Sequence, residues 1–400
     1  MKPLRILLVD CDSVRAGERG KAERLAALPD VEVHLLVPRA YTLAGRALRF
    51  DPAPPVGYRM TVGALVGHPP ARTLFAAGLA RALRERPDVV HVTADENFFL
   101  AAQVARATRR LAPGALFTFH SWGNILFSRA LHPQWIPFLY EFDTWLETGV
   151  FRAAAGAAAR NREVARVLRA RGFRGRIAYI PWGTDVERMG SGDRQSGRRR
   201  FGLDGFVVGF LGRLVEEKGL LDLVDACATI RGEVTLAVAG EGPYERTIAA
   251  SVALGLGGSP TNYTIQMLGN VADRDVPDFL AAIDVLALPS RSTPTWKEQF
   301  GRALVEAMAA GVPVVGSDSG AISDVIGDAG LVVPERDPRA LGEALARLAS
   351  DPALRERLAR AGRERARREF SWGAFASRTA AFFRSLRGEP VEPGSFEEMP

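Results

Sequence analysis

Two glutamates in one short segment of this 400-residue chain are the first candidates for chemistry. Glu298 and Glu306 lie in the segment Pro289–Gly320 (PSRSTPTWKEQFGRALVEAMAAGVPVVGSDSG). Gly301 indicates that Glu298 lies in a loop and that a helix begins near Phe300, so Glu306 falls in an apolar helical stretch. A buried carboxylate needs a partner, and sugar or ribose hydroxyls are suitable because an ionised carboxylate only accepts hydrogen bonds. The alternative is an outward-facing glutamate on an amphipathic helix.

Glycines and basic residues follow two other apolar runs. Gly209–Arg213 (GFLGR) ends a predicted strand, and Lys218 precedes a helix that begins near Gly219. Glycine lets a backbone approach a phosphate, a helix N-terminus attracts anions, and the two cations would add positive charge at the same place. A second turn, Ala239–Pro243 (AGEGP), ends the next strand, at the sheet edge where ligands of open α/β sheets bind. Purely structural turns are the alternative, and a G-x-G-x-x-G dinucleotide fingerprint is absent from the sequence.

Taken together, these residues resemble the retaining GT-B glycosyltransferases of glycosyltransferase family 4. The resemblance lies in the Glu-x7-Glu signature with its EQFG and EAMAAGVPVV frame, in the flanking ALPS and SDSG, and in GFLGRLVEEKG and AGEGP. It extends from about Gly205 to Asp351. It implies the α/β GT-B fold, in which two Rossmann-like domains face each other across a cleft.

The resemblance also implies roles for individual residues. Arg213 and Lys218 correspond to the basic pair on the donor diphosphate. Glu306 corresponds to the residue on the ribose hydroxyls, and Glu298 to the one on the donor sugar. The expected donor-binding residues are Gly212, Arg213, Lys218, Glu241, Val271, Glu298, Gln299, Phe300, Gly301 and Glu306. The expected catalytic residues are His120, Arg213, Lys218 and Glu298.

The first half of the chain matches the family less closely. His120, after a predicted strand, matches the active-site histidine of the family, although a hydrogen-bonded core histidine is the alternative; for His91 the core interpretation is favoured. The family often has a Gly-Gly turn after its first strand, whereas this sequence has Asp10–Ser13 (DCDS) there. Trp182 stands where the family usually has asparagine.

The region after His120 is rich in aromatic residues. They are Trp122, Phe127, Trp135, Phe138, Tyr140, Phe142 and Trp145. Aromatic rings pack in cores, stack on sugars and lie at membrane interfaces, so helix packing and binding of a glycan or lipid-linked acceptor both stay open. Four arginines could assist attachment to a surface: Arg72, Arg81, Arg84 and Arg86.

Repeated apolar runs with amphipathic stretches between them predict parallel strands connected by helices. In the first half the predicted strands are Leu4–Asp10, Val31–Val37, Asp88–Thr93, Ala115–His120 and Arg176–Pro181. In the second half they are Phe206–Leu211, Val234–Ala239, Ile265–Leu268, Asp284–Leu288, Val312–Gly316 and Leu331–Val333. The runs lack polar alternation, which is typical of strands covered by helices on both faces.

Composition shifts suggest the domain boundaries. The predicted organisation is an acceptor domain over residues 1–187, a linker at 188–204 rich in Gly, Ser and charge, a donor domain over 205–370, a helix at 371–387 that packs back on the first domain, and a flexible tail at 388–400. Asp351-Pro352 separates two helices within Pro338–Arg368, since proline fits a first helical turn.

Composition excludes several classes of protein. The chain has 47% hydrophobic and 24% charged residues, which is typical of a folded globular protein and not of a disordered one. No apolar run approaches the roughly 18 residues of a membrane span, so a cytoplasmic protein, peripheral at most at the inner face of the membrane, is expected. Cys11 and Cys227 are predicted to be separate buried thiols.

The sequence therefore predicts a retaining, metal-independent glycosyltransferase without a cofactor. Its co-substrate would be a UDP- or GDP-sugar, and its acceptor a hydroxyl of a glycan, a lipid-linked glycan or a small molecule. The expected process is the synthesis of a cell-surface polysaccharide or glycoconjugate. The alternative within the same fold is a sugar-nucleotide epimerase. A nucleic-acid-binding protein is suggested only by the net charge of +6 and is disfavoured because the arginines are interleaved with glutamates.

Overall fold

Helices connect parallel strands in both halves of the chain, as the sequence predicts. The structure is a computed structural model that describes residues 2–43, 46–68, 71–96, 98–126, 129–131, 138–253 and 263–400. The chain divides into a first unit, Met1–Gly183 with Trp372–Pro400, and a second unit, Thr184–Ser371. Phe127 and Trp135, two of the aromatic residues singled out above, lie outside the described residues.

The first unit contains a mostly parallel sheet. Its strands and the accompanying hairpin are β1 Leu4–Asp10, β2 Val31–Pro38, β3 Ala40–Leu43, β4 Arg46–Arg49, β5 Arg59–His68, β6 Arg72–Ala77, β7 Val89–Thr93, β8 Leu116–Ser121, β9 Ala154–Ala159 and β10 Arg176–Tyr179. The sheet order is β10-β9-β8-β7-β1-β2-β5-β6, with β5 and β6 antiparallel, while β3 and β4 pair separately. Its helices are α1 Gly20–Ala26, α2 Leu79–Leu83, α3 Phe99–Leu111, α4 Leu139–Ala153 and α5 Arg162–Ala170.

The second unit contains a fully parallel sheet. Its strands are β11 Phe206–Leu211, β12 Val234–Ala239, β13 Tyr263–Gly269, β14 Val285–Leu288, β15 Val314–Ser317 and β16 Leu331–Val333. Its helices are α6 Val186–Met189, α7 Arg194–Phe201, α8 Leu220–Cys227, α9 Glu245–Ala253, α10 Val276–Ala282, α11 Arg302–Ala310, α12 Ile322–Ile326, α13 Pro338–Ser350 and α14 Pro352–Phe370. All six residues of β12 are buried, which agrees with the apolar run that predicted it.

The structure corrects the predicted linker. Residues 188–204 contain helix α7, which packs against α10 within the second unit, and the unit boundary falls between Gly183 and Thr184. Asp193 caps α7 by accepting a hydrogen bond from the Ser196 amide. Four of the five arginines in residues 188–204, Arg188, Arg194, Arg198 and Arg200, form ion pairs; Arg198 binds Asp284, for example.

The structure also differs from the predicted flexible tail. After helix α15 (Trp372–Leu386), which packs against α1 in the first unit, strand β17 (Glu397–Met399) pairs antiparallel with β10. Glu398 forms an ion pair with Arg176, and Met399 is buried in the core of the first unit. The acidic residues and prolines of this segment predicted a frayed end. The sequence does not show that basic residues of the neighbouring strand β10 pair with these acidic residues.

Candidate functional site

The order of strands places a ligand site in the second unit. The order β13-β12-β11-β14-β15-β16 reverses direction between β11 and β14. Ligands of open α/β sheets bind at the carboxyl ends of the strands on either side of such a reversal. Gly212 and Arg213 directly follow β11, and Pro289 and Ser290 directly follow β14, so the predicted basic and acidic segments converge on this point.

The glycine turns after β11, β12 and β13 pack against one another. Gly240 has φ 149°, and a Cβ atom there would overlap the carbonyl oxygen of Gly212. The Gly240 amide donates a hydrogen bond of 2.7 Å to the Gly269 carbonyl, and the Leu214 amide donates one of 2.9 Å to the Glu241 carbonyl. The structure therefore brings Gly212 and Glu241 together, with Val271 two residues beyond the end of β13.

Lys218 and Glu298 form a close ion pair. Lys218 Nζ lies 2.6 Å from Glu298 Oε2, and both side chains are largely buried. Gly219, in the left-handed conformation with φ 66°, makes this approach possible, because a Cβ there would overlap the carbonyl oxygen of Pro289. The two predicted donor-binding groups are thus each other's partners, which the sequence did not indicate.

Two further groups hold the Glu298 carboxylate. Ser290 Oγ donates to Oε2 at 2.9 Å, and the Gly301 amide donates to Oε1 at 3.2 Å. Burial alone would raise the pKa of Glu298, but the charge and hydrogen bond of Lys218, followed by the bonds from Ser290 and Gly301, bring it below its ordinary value. Glu298 is therefore ionised over the physiological pH range.

Glu306 has an arginine partner in this structure. It lies in α11, which begins at Arg302 rather than at the predicted Phe300, and it is buried. Arg302 Nε lies 2.7 Å from Glu306 Oε1, one helical turn away. Phe300 is buried and packs edge-on against Phe370, while Gln299 is half-buried.

Arg213 is exposed, and within the described ranges no carboxylate lies at ion-pair distance from it. Trp296 is a neighbour that sequence reasoning missed: its ring centroid lies 5.2 Å from Lys218 Nζ, at cation–π distance. Ser290 was also missed, although its position at the end of the ALPS run could have suggested a place beside Glu298. The arrangement offers Arg213 and Lys218 to an anion and two carboxylates to hydroxyl groups.

His120 lies in the first unit and has no exposed surface. Its ring stacks on Phe375 at a centroid distance of 6.1 Å and meets Trp182 at 5.6 Å. Burial, then the neighbouring His91, lowers the pKa of His120 well below its ordinary value, so the imidazole is neutral. Its catalytic role stays a prediction. His91 is buried and bonded to Thr118 Oγ1 at 2.9 Å, as a core histidine would be.

A second polar group in the first unit was missed by sequence reasoning. The carboxyl ends of adjacent strands β1, β7, β8, β9 and β10 are followed by Asp12, Asp95, Trp122, Arg160 and Trp182, respectively. The Arg160 guanidinium lies over both indole rings, at 5.1 Å from Trp122 and 4.6 Å from Trp182. Only the paired strand ends of the folded sheet reveal this group, because its members span 171 positions from Asp12 to Trp182.

The two carboxylates of this group are held in polar, largely buried surroundings. Asp95 Oδ1 accepts hydrogen bonds from Ser121 Oγ at 3.0 Å, the Trp122 amide at 2.8 Å and the Gly123 amide at 3.1 Å. Burial, then the charge of Asp10, raises the pKa of Asp12 to about 6. Indole faces, a guanidinium and carboxylates together suit a ligand with several hydroxyl groups.

Clusters of three or more histidine, cysteine, aspartate or glutamate side chains that could hold a metal ion are absent from the described residues. Cys11 and Cys227 are buried free thiols in different units, as predicted. Over the same described ranges, no helix is long and apolar enough to cross a bilayer.

Comparison with known proteins identifies the family. Residues 193–365 match the family model described as glycosyl transferases group 1, and residues 21–188 match the model described as glycosyltransferase family 4. The chain belongs to glycosyltransferase family 4. Both models match in the expected order, so the family resemblance suggested by the second half extends over both units.

Several relatives carry more specific names. The chain is 35% identical to a phosphatidyl-myo-inositol mannosyltransferase of Mycobacterium leprae over 52% of this chain and 53% of the relative. It is 32% identical to a mannosylfructose-phosphate synthase of Agrobacterium fabrum over 54% of this chain and 49% of the relative. The chain thus spans about half the length of the curated relatives it matches.

Solved structures share the fold over nearly the whole chain. Sucrose-phosphate synthase from Thermosynechococcus elongatus has a TM-score of 0.65 at 21% identity and covers 97% of this chain and 100% of its own. Anabaena HepE in complex with UDP has a TM-score of 0.65 at 19% identity, covering 96% and 100%. These structures confirm the predicted α/β fold of GT-B type with two Rossmann-like domains.

Proposed function

We propose that this protein is a retaining glycosyltransferase that moves a sugar from a nucleotide-sugar donor to an acceptor hydroxyl. The observation that carries the proposal is the Lys218–Glu298 pair with exposed Arg213 at the strand-order reversal of the second unit. Arg213 and Lys218 would bind a diphosphate there, and Glu298 and Glu306 would accept hydrogen bonds from sugar hydroxyls. Family membership and the names of the relatives also support a glycosyltransferase.

The donor diphosphate would take over Lys218. Lys218 Nζ is bound by the Glu298 carboxylate at 2.6 Å. A diphosphate carries more negative charge than one carboxylate, so it would draw Lys218 away and leave the Glu298 oxygens to the sugar hydroxyls. Arg213 would bind the same diphosphate and stabilise the charge that develops on it during reaction.

The rest of the donor would extend along the turns of the second unit. Glu306 would accept hydrogen bonds from the ribose hydroxyls, while Arg302 stays paired with Glu306 Oε1. The backbone near Gly212, Glu241 and Val271 would surround the base. The backbone of Gln299, Phe300 and Gly301 would face the donor sugar and phosphates. UDP- or GDP-sugars are the expected donors.

Transfer would proceed on one face of the sugar. The bond from the anomeric carbon to the diphosphate oxygen breaks, a bond to the acceptor oxygen forms on the same face, and the acceptor proton passes to the departing diphosphate. A protein nucleophile and a metal ion are not required in this scheme. His120, neutral and buried, would take no part in the proton transfer.

The acceptor would bind the carboxyl end of the first sheet. Asp12, Asp95 and Arg160 can bond its hydroxyls, and Trp122 and Trp182 can pack on its apolar faces. One relative is named for phosphatidyl-myo-inositol and another for mannosylfructose phosphate, and both molecules carry hydroxyl groups and a phosphate. The acceptor class that we propose is a polyol or glycan headgroup, free or linked to a lipid. The reaction would contribute to the synthesis of a glycolipid or polysaccharide at the inner face of the membrane.

The test is a turnover assay of the purified chain with UDP- and GDP-sugars and a panel of polyol, sugar and glycolipid acceptors. We expect release of nucleoside diphosphate that depends on the acceptor, a product that keeps the donor's anomeric configuration by NMR, and unchanged turnover in EDTA. Isomerised nucleotide sugar without nucleotide release would identify an epimerase instead. Loss of turnover in EDTA would contradict metal independence.

A further inference from the structure

Helix α4 presents aromatic side chains to solvent. Phe138, at its N-cap, is 77% exposed, Phe142 is 41% exposed and Trp145 is 65% exposed. At 100° per residue these positions fall within about 60° of one another on the helix surface. Phe142 and Trp145 stack with ring centroids 5.9 Å apart. Large exposed aromatic groups gathered on one face mark an interaction surface.

Unpaired arginines surround this aromatic stripe. Helix α3 packs against both α4 and α2, so the outward faces of the three helices adjoin. Their exposed arginines are Arg81, Arg84 and Arg86 on or just after α2, Arg106, Arg109 and Arg110 on α3, and Arg152 on α4. Within the described ranges none of these seven lies at ion-pair distance from a carboxylate.

The acidic residues of the same helices are already occupied. Asp143 is paired with Arg72, and Glu141 with Arg129. Glu147 is buried with Arg171. In the second unit some exposed helical arginines do have acidic partners at i±4, such as Arg339 with Glu343 and Arg360 with Glu356. Among the described residues, the carboxylates of α4 thus leave the seven arginines of the α2–α4 face without a neutralising partner.

We propose that the outward face of α2, α3 and α4 docks on an anionic lipid surface. The stripe of Phe138, Phe142 and Trp145 would enter the interface between headgroups and acyl chains, where aromatic rings are favourable. The seven arginines would meet the lipid phosphates. The charge selects a bilayer over a second copy of the chain, because two copies of this face would repel each other.

Arg72 does not take part in this surface. Its guanidinium is paired with Asp143 and lies 4.8 Å from the Phe99 ring, so it fixes α4 to the body of the unit. The contacts of Arg72 therefore distinguish it from Arg81, Arg84 and Arg86, which remain available to bind a surface.

The test is co-flotation of the purified chain with vesicles of phosphatidylcholine alone or with phosphatidylglycerol, in the absence of donor and acceptor. We expect binding only to the anionic vesicles, and its loss in 1 M NaCl, where the screening length falls to about 3 Å. Changing Arg106, Arg109 and Arg110 to Gln should weaken binding on the order of 100-fold. Phe138→Asn with Trp145→Ala should weaken it roughly tenfold.

A matched control removes the same charge elsewhere. Arg339, Arg357 and Arg360 are exposed arginines of α13 and α14, and changing these three to Gln should leave vesicle binding unchanged. Thermal unfolding should confirm that each variant is folded. Failure of the native chain to float, or equal losses in both triple variants, would overturn the proposal. So would a stable dimer that Trp145→Ala dissociates while vesicle binding persists. None of these outcomes bears on sugar transfer, which is assayed separately with a soluble acceptor.

Discussion

The Lys218–Glu298 pair is the central feature of the molecule at the scale of single residues. The sequence assigned these two side chains to different parts of a donor, and the structure places them in direct contact at 2.6 Å. The pair neutralises two largely buried charges. Under the proposed function a donor would separate the two groups, so stability and donor recognition would depend on the same atoms.

A double-mutant cycle tests this pair. Lys218→Met leaves a buried carboxylate without its cation and is expected to lower the free energy of unfolding by about 3–5 kcal/mol. Glu298→Gln should lower it less, and the double variant should lose clearly less than the sum of the two, with a coupling of at least about 1 kcal/mol by urea unfolding. Additive losses would contradict a direct interaction. All three variants should lose most of their turnover.

The same pair predicts a dependence of stability on acid. Because the folded-state pKa of Glu298 lies below its ordinary value of 4.5, its contribution to stability is fully present above about pH 4.5. That contribution is lost as the pH falls through the lower folded pKa. The difference in unfolding free energy between native chain and Glu298→Gln should therefore shrink below about pH 4.5. A difference that stays constant down to pH 3 would contradict the assignment.

Asp12 has the opposite effect on the pH dependence of stability, because its pKa is raised rather than lowered. Its folded-state pKa of about 6 lies above its ordinary 3.8, so ionised Asp12 opposes folding, and the opposition grows as pH rises from about 4 to about 6. Asp12→Asn should be more stable than the native chain at pH 7.5 and equally stable below pH 4, by urea unfolding. Exposed Asp204→Asn is the control and should show no such trend. If Asp12 binds an acceptor hydroxyl, the variant should also raise the acceptor KM.

At the scale of elements, tight turns position the site. Gly219 lies between the turn that carries Lys218 and helix α8, with φ 66° and no room for a Cβ beside Pro289. Gly232 also has a positive φ, 100°, but an added Cβ would meet no atom within 4 Å. Comparing substitutions at the two glycines therefore distinguishes the cost of backbone strain from the cost of steric overlap.

Alanine substitution at both positions checks the role of the turn. Gly232→Ala should cost only the strain of a positive φ, about 1 kcal/mol. Gly219→Ala should cost at least about 2 kcal/mol more and lower donor affinity, because the turn must shift and move Lys218 away from Glu298. Thermal unfolding and donor titration measure these effects. Equal costs at the two positions would contradict the close packing of the turn.

The last strand is an element that contributes to the first unit. Met399 is buried, and β17 pairs with β10 through Ile177, Ala178 and Tyr179. Met399→Ala should lower the free energy of unfolding by about 2–4 kcal/mol, as for other buried methionines. Glu398→Gln removes only an exposed ion pair and should cost less than about 1 kcal/mol. A negligible effect of Met399→Ala would mean that the strand is not docked.

The sequence predicts buried parallel strands well because a strand covered on both faces is apolar at every position. All six strands of the second sheet lie where apolar runs predicted them, and every strand end agrees to within two residues. Strand β9 (AAGAAA) was missed because alanine favours helices, and only pairing with β8 and β10 makes it extended. Linker and tail were misjudged because their arginine and glutamate partners lie far away in sequence.

The site was predictable to the extent that local motifs define it. The glycine turns and both glutamates follow from short segments, since each belongs to one strand end or helix start. The partner of Lys218 did not follow, because it depends on side-chain directions in the folded unit. Arg302, the partner of Glu306, could have been predicted from its i,i+4 spacing on the same helix. The group around Arg160 depends on the order of five strands and has no local sequence signal.

At the scale of the whole molecule, each of the two units carries a polar group at the carboxyl end of its parallel sheet. The second unit offers cations and carboxylates, which suit a nucleotide sugar. The first unit offers indoles, an arginine and carboxylates, which suit a polyol. The chain also carries seven unpaired arginines on one helical face, which suit an anionic surface. The three surfaces have different chemistry, so they can be tested independently.

The most direct test of the central claim is thermal stabilisation by UDP, GDP, ADP and their sugars, measured in parallel on the native chain, Arg213→Ala and the control Arg231→Ala. Both arginines are exposed, but Arg231 lies near the amino end of β12, at the opposite edge of the sheet. A selective shift with one nucleotide, equivalent to about 2.7 kcal/mol at 100 times its Kd, is predicted for the native chain and the control. Arg213→Ala should need on the order of tenfold more ligand for the same shift. No shift with any nucleotide, or an equal shift in all three proteins, would contradict a diphosphate site at Arg213 and Lys218.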